Sequence, residues 1–339
     1  MCGFFERSNL MQTALANNST ASTVVALKSL TELNKALGDS LRLQILRLLK
    51  NESFGVLELC RILDIRQSAL SHHLKILATA QLVSTRREGN SIFYRRTFLA
   101  DEDPYREIKE SVFGQVDELA IAMSTQKKIS LIQSERAQQS LNFFNKNANK
   151  FHEQQGLIVA HDEYGPVLHD VIESLSLTEK ARVLEVGPGE GQLLVKLAAK
   201  FGKLIALDNS EEMLEKSRHA VNAANFRDVE FILGDTAVAR KKNVISDLII
   251  FDMVLHHISS PAKTFRDAAA LLKEKGQLLI AELSTHDQDW VRESCGDLWL
   301  GFDESDLNHW AKKAGLKAGQ SSYLSLRNGF QIQIRVFTK

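Results

Sequence analysis

The residues best placed for chemistry are Glu185, Gly187, Gly189 and Gly191, at alternate positions in ARVLEVGPGEG (181–191). Glycine tolerates positive φ and lets bare backbone N–H groups approach a ligand closely. A second candidate is Asp208, which ends KLIALD about twenty residues after the first glycine, where a carboxylate can accept both hydroxyls of a ribose. Such a loop needs a strand to deliver it and a helix to leave it. The branched apolar run Val183, Leu184 and Val186 predicts a buried strand, and Leu193, Leu194, Leu197 and Ala198 at helical spacing predict the helix. Strand, glycine turn and helix form a nucleotide-binding arrangement. The sixth place of G-x-G-x-x-G is Gln192, not glycine, which disfavours a nicotinamide dinucleotide.

The elements around this loop alternate. KLIALD, EEMLEKSRHAV, VEFILGD, DLIIFDMVL, FRDAAALLKE and GQLLIAEL read as strand, helix, strand, strand, helix and strand, the pattern of a parallel doubly wound sheet. From about residue 150 to 339 the chain resembles the class I S-adenosylmethionine-dependent methyltransferases, a Rossmann-like α/β fold. The resemblance implies that Glu185, Gly187, Gly189, Gly191, Asp208, Met213 and Asp235 bind the cofactor, with Met213 against the adenine face and Asp235 against its amino group. The ligand it implies is S-adenosylmethionine or S-adenosylhomocysteine. DMVLHHI resembles the family's fourth motif and makes His256 and His257 the candidate catalytic residues. Methyl transfer mainly needs nucleophile and methyl carbon held in line, and a general base helps only when the acceptor carries a proton.

The amino-terminal part has a different texture. Residues 28–96 hold twelve Lys and Arg against six Asp and Glu, although Lys+Arg and Asp+Glu are both 42 over the whole chain. A basic region on a neutral chain points to a polyanionic partner for that region alone. Its helices are predicted over VVALKSLTELNKAL, LRLQILRLLK, VLELCRIL (56–63) and 66–80, with Gly38 ending the first and Asp39 or Ser40 capping the second. LVSTRREGNSIFYRR alternates into a hairpin about Glu88-Gly89-Asn90. Helices followed by a basic hairpin predict a winged helix-turn-helix, with polar side chains of the fourth helix at base edges and wing arginines, Arg96 among them, at phosphates. KALGDSLRLQILRLL, ELCRILDIRQSALSHHLKIL and RREGNSIFYRR resemble the ArsR-type winged-helix repressors over roughly 30–97. The resemblance implies DNA binding by Gln67, Ser68, Ser71, His72, Lys75, Arg86, Arg87 and Arg95, a partly buried His73, and a homodimer on a double-stranded operator. His72 and His73 point about 100° apart on a helix and cannot chelate together, Cys60 reads as a small buried hydrophobe, and no metal site is expected.

The division expected is a flexible arm over 1–23, a winged helix-turn-helix domain over 24–100, a dimerisation helix and connector over 101–150, and a methyltransferase-like domain over 151–339. Within the third part, 101–123 reads as one helix with Ile108, Val112, Val116, Leu119 and Met123 in a stripe, and 124–150 reads as a polar connector. A chain of 339 residues with 44% hydrophobic and 25% charged residues is long enough for two cores. Cys2, Cys60 and Cys295 give no disulfide framework, and no apolar run reaches the length of a membrane helix, so no membrane partner and a cytoplasmic location are expected. The segment 286–316 resembles one typical of ArsR-type proteins fused to a methyltransferase-like domain, with Trp290, Trp299 and Trp310 as core or as the roof of a pocket. Within that architecture, the expected function is an adenosyl-responsive transcriptional regulator. The alternatives are an active methyltransferase on a small molecule with a regulatory DNA-binding domain and, last, a nucleic-acid methyltransferase.

Overall fold

The computed structural model describes residues 23–339, so the expected arm lies outside the described residues except for Thr23. The chain divides into two compact units between Lys128 and Ile129.

The first unit begins with α1 (23–37) and α2 (Ser40–Leu48), whose amino end is capped by the Asp39 carboxylate accepting the Arg42 N–H at 2.9 Å. A two-residue strand β1 (Phe54–Gly55) precedes α3 (Val56–Leu63) and α4 (Gln67–Thr79). Leu59 and Ile62 of α3 and Leu70, Leu74 and Leu77 of α4 form the apolar face that joins them. The hairpin β2 (Val83–Glu88) and β3 (Ser91–Arg96) pairs antiparallel, turns on Gly89 at φ 62°, and adds β1 to its β3 edge. Helices packed beside a two-residue turn and its hairpin make the expected winged helix-turn-helix.

The next segment departs from the reading of one helix over 101–123. Helix α5 covers only Arg106–Glu118, because the residue preceding Pro104 is disfavoured in the helical region and the Leu119 carbonyl is drawn away to Arg47 Nε at 2.8 Å. A second helix, α6 (Met123–Asn147), follows. Of the expected stripe only Val116 is buried; Ile108, Leu119 and Met123 are exposed, and Lys109 and Phe113 complete the inner face. Lys109 is admitted by its ion pair to Asp103 at 2.7 Å. Cys60 is half-buried rather than buried.

The second unit is a seven-stranded sheet flanked by helices. After α6 and α7 (Phe151–Gly156), helix α8 (His161–Ser174) leads to β4 (Arg182–Val186), α9 (Gln192–Lys200), β5 (Lys203–Asp208), α10 (Glu211–Ala223), β6 (Val229–Leu233), α11 (Thr236–Lys241) and β7 (Ser246–Asp252). Then come α12 (Pro261–Leu271), β8 (Leu272–Leu283), α13 (Trp290–Ser294), α14 (Glu304–Lys313), β9 (Lys317–Ser325) and β10 (Gln331–Thr338). Strand order is β6-β5-β4-β7-β8-β10-β9. The first five strands are parallel as expected; β10 and β9 add an antiparallel edge, so the sheet is mixed. Val183, Leu184, Leu204, Ile205, Ile249 and Leu279 are buried in its centre. The chain winds outward from β4 through β5 to β6, then returns to β7 on the other side of β4. That reversal opens a crevice at the carboxyl ends of β4 and β7, where open α/β sheets take ligands.

Candidate functional site

The crevice is a cavity of about 480 Å³, within the usual range for small-ligand sites. Its floor is the strand ends: Glu185 and Val186 of β4, Leu207 and Asp208 of β5, and Asp252 of β7. The glycine loop supplies Gly187 and Gly189, at φ 69° and 56°. A Cβ on Gly187 would overlap Val254, which fixes why that position is bare. Gly191 has a different task. It caps α9 at φ 86°, does not line the cavity, and sits 3.1 Å (from a Cβ built on it) from Ser217 Cα and 3.2 Å from Ala220 Cβ of α10. It is bare so that two helices can approach.

Asp208 ends β5 and accepts the Ser210 N–H at 2.8 Å; burial still pushes its carboxyl up to about 6. Met213, 2% exposed, lines the wall beyond it. Asp235 lies at the mouth, exposed, and its Oδ1 accepts the Val238 N–H at 3.0 Å to cap α11. On the cavity floor, the carboxylates of Glu185 and Asp252 each carry a buried atom with no hydrogen-bond partner, Glu185 Oε2 and Asp252 Oδ1. Burial and mutual repulsion hold Glu185 well above the usual carboxylate range, and burial lifts Asp252 to about 7 against a hydrogen bond from Tyr164. Such a pair awaits a cationic group.

The two candidate histidines are separated in role. His256 does not line the cavity; its Nδ1 lies 2.5 Å from Glu282 Oε1 in the core, and that carboxylate raises the imidazole to about 9 despite burial. His257 does line the cavity, with Nδ1 3.3 Å from the Gly296 carbonyl and its ring 4.7 Å from Phe144. Burial and its cationic neighbour hold it well below the ordinary imidazole value, so it is neutral.

In the first unit, Gln67, Ser68, Ser71, His72 and Lys75 all project from α4 to solvent. His73 is partly buried, 3.6 Å from Asp39 Oδ1. On the wing, Arg87 is exposed, whereas Arg86 is tied to the buried Glu88 and Arg95 lies over the Phe98 ring at 3.9 Å. Arg96 cannot meet phosphate. It is buried, bonded to the Leu46 carbonyl and paired with Asp117 at 2.9 Å, because the last position of β3 faces the α2 and α5 side of the unit.

Residues 39–85 match the family described as bacterial regulatory protein, arsR family, and residues 177–315 match a methyltransferase domain. The chain is a fusion of the two. The tRNA 5-carboxymethoxyuridine methyltransferase of Escherichia coli (strain K12) is 30% identical to it over 110 residues, 32% of this chain and 42% of that protein. An uncharacterized 37.1 kDa protein in transposon TN4556 of Streptomyces fradiae is 31% identical over 173 residues, 50% of this chain and 48% of that one. The chain spans less than half the length of the curated relatives it matches first. Among solved structures, a putative methyltransferase from Bacillus halodurans is 16% identical with a TM-score of 0.45, covering 51% of this chain and 98% of that one. Among the described residues of the fusion, no helix is long and apolar enough to cross a membrane.

Part of the fusion's cavity wall was invisible to motif spacing. Ala137, Ser140 and Phe144 reach it from α6, the segment expected to be a polar connector; one face of that helix buries Ile129 and Ile132. His161 and Tyr164 come from the first turn of α8. His161 Nδ1 lies 3.4 Å from the Tyr164 hydroxyl and 3.8 Å from Asp252 Oδ2, and burial with Lys196 nearby lowers its pKa. None of the three tryptophans lines the cavity: Trp299 is buried with Nε1 bonded to the Ile258 carbonyl, Trp310 packs on Phe265 and Phe302, and Trp290 is exposed.

Proposed function

We propose that the fusion is a DNA-binding transcriptional regulator whose methyltransferase domain takes S-adenosylhomocysteine or S-adenosylmethionine as effector. The observation that carries it is a solvent-facing polar row, Gln67, Ser71, His72 and Lys75 on α4, in the same chain as a nucleoside-sized cavity with a buried carboxyl at the tip of β5. Asp208 holds the ribose hydroxyls, the Gly189 N–H meets the ligand backbone-first beside Gly187, whose own N–H donates to the Leu207 carbonyl at 2.8 Å, and Met213 backs the adenine with Asp235 at its edge. Glu185 and Asp252, buried with unpartnered oxygens, suit the ligand's ammonium group. Gln67, Ser68, Ser71, His72 and Lys75 read bases, and Arg87 leads the wing arginines at phosphate. Exposed Val24, Val25, Leu27 and Leu119 in the first unit favour a homodimer, which a two-fold operator requires.

The test is operator affinity with each ligand. A duplex enriched from a random pool by the full chain is titrated alone, with S-adenosylhomocysteine and with S-adenosylmethionine. A coupling of about 1–3 kcal/mol, roughly 5–150-fold in affinity, is expected from one of them. Equal affinity in all three titrations rejects the regulator reading.

One observation favours a second reading, an active methyltransferase on a small molecule. His257 stands on the cavity wall as a neutral imidazole whose Nε2 has no partner, the state a general base needs. S-adenosylmethionine supplies a methyl group on a sulfonium, and His257 would take the proton of the acceptor. Transfer of labelled methyl to a metabolite in cell extract, lost in Asp208→Ala, would establish it.

A further inference from the structure

Beside the cavity, three buried side chains converge that no ligand-binding role above uses together. His256, His257 and Asp297 each present a donor atom, and these atoms lie within 4.8 Å of one another. The histidines are 0% and 6% exposed and Asp297 2%. His256 Nδ1 is occupied by Glu282 and His257 Nδ1 faces the Gly296 carbonyl, which leaves both Nε2 atoms, and neither has a hydrogen-bond partner. One unpartnered buried ring nitrogen costs about 1–3 kcal/mol, and this cluster holds two, with Asp297 Oδ1 lying 3.9 Å from His257 Nδ1.

We infer that His256, His257 and Asp297 bind one divalent transition ion. Two imidazoles and a carboxylate are the donors of three-ligand zinc sites and of facial iron sites, with a further position left open. Donors around such an ion, at bonds of about 2.0–2.2 Å, stand about 3.4 Å apart in a tetrahedron, so small ring rotations close the set. The second layer is in place. Glu282 Oε1 on His256 Nδ1 fixes the ring and its tautomer, the carboxylate–histidine pairing usual behind a metal ligand.

Backbone geometry brings the donors together. The turn Leu255–His257 is a 3-10 turn, and there the adjacent rings come within 4.0 Å, whereas the rings of His72 and His73 on α4 stand 5.9 Å apart. The segment carrying Asp297 is pinned to that turn by the Leu298 and Trp299 N–H groups, both donating to the His256 carbonyl at 3.0 and 3.1 Å. Cys295 is outside the set: its thiol donates to the Gln154 carbonyl at 3.2 Å. Because His257 also lines the cavity, the ion enters from there.

The full chain, stripped with chelator, is dialysed against Co²⁺ alone and Zn²⁺ alone. One ion per chain is expected, with Co²⁺ d–d bands and no thiolate charge-transfer band. His257→Gln and Asp297→Asn should each weaken binding by more than about 100-fold and Glu282→Gln by about 10–100-fold, with His72→Gln unchanged. No retained Co²⁺ or Zn²⁺, or folded His257→Gln and Asp297→Asn chains that bind like the parent, overturns the inference. Should those variants not fold, anomalous scattering at the zinc edge from crystals of the unsubstituted chain decides. A peak bonded to His257 and Asp297 is expected; a peak elsewhere, or none, overturns the inference.

Discussion

The position of a Cβ on Gly187 is already taken by Cγ2 of Val254, so the loop after β4 and the turn after β7 meet at a point where only backbone fits. Gly187→Ala therefore carries two penalties, the positive φ of 69° and the overlap, together roughly 2 kcal/mol or more. Val254→Ala in the same chain removes the Cγ2 overlap and keeps a Cβ at 3.0 Å, so it should return most of the steric part and leave about 1 kcal/mol of backbone strain. Denaturant melts of the single and double variants measure this, and a Gly187→Ala chain as stable as the parent contradicts it.

Ligand affinity should depend on pH through Asp208. A carboxylate accepting two ribose hydroxyls must be ionised, and burial has raised this one to about 6. Asp208 should contribute about a tenfold weakening between pH 7 and pH 5, one proton taken up per ligand released, in addition to the slope that Asp252 and Glu185 set at the ammonium group. Asp208→Asn should bind weakly and with a slope between pH 7 and 5 shallower by that one proton. Calorimetric titration from pH 5 to 8 reads both, and a parent chain with flat affinity across that range refutes the role.

The sheet and the glycine loop were legible in the sequence because each rests on local signals: branched apolar runs make strands buried on both faces, and alternate glycines make a tight turn. Asp208 and Met213 follow from the same register, since they end or follow a strand whose partner is known. Gly191 kept the spacing but serves the packing of α9 on α10, because a bare Cα can serve a ligand or a helix equally well. Phe144, His161 and Tyr164 could not be found this way. They reach the cavity from helices that precede β4, and only the tertiary fold sets which face turns inward. Arg96 shows the same limit: it stands next to the wing arginines in the sequence, yet it is buried against Leu46 and Asp117.

Stability of the ligand-free protein should fall as pH rises. The folded pKa of Asp252, about 7, lies above its ordinary value of 3.8, so the fold favours the protonated acid. That contribution is complete below about pH 4 and is lost as pH rises through 7, at most on the order of 1.4 kcal/mol for each pH step between the two values. Glu185 is raised by the same causes and adds to the slope in the same direction. Asp252→Asn should flatten the pH dependence of the denaturation midpoint between 5 and 8. A chain whose stability rises over that window, with a parallel curve for the variant, would mean these carboxyls are satisfied in a way their burial does not indicate.

Arg87 and Arg96 should behave oppositely although both belong to the wing hairpin. Arg87 is exposed at the hairpin tip, so Arg87→Ala should leave stability within about 0.5 kcal/mol and weaken binding to all duplexes alike. The log–log salt slope should shrink by about 0.9, one phosphate contact. Arg96 spends its guanidinium inside the unit, on the Leu46 carbonyl and the Asp117 carboxylate, so Arg96→Ala leaves that carbonyl unpaired and Asp117 with Lys50 at 3.3 Å. It should destabilise the winged unit by about 1–3 kcal/mol. Its residual DNA binding should keep the parent's salt slope, because no phosphate contact is removed. Binding measured from 50 to 200 mM salt beside thermal melts separates the two, and an Arg96→Ala chain of full stability with a reduced slope would put that arginine on the DNA after all.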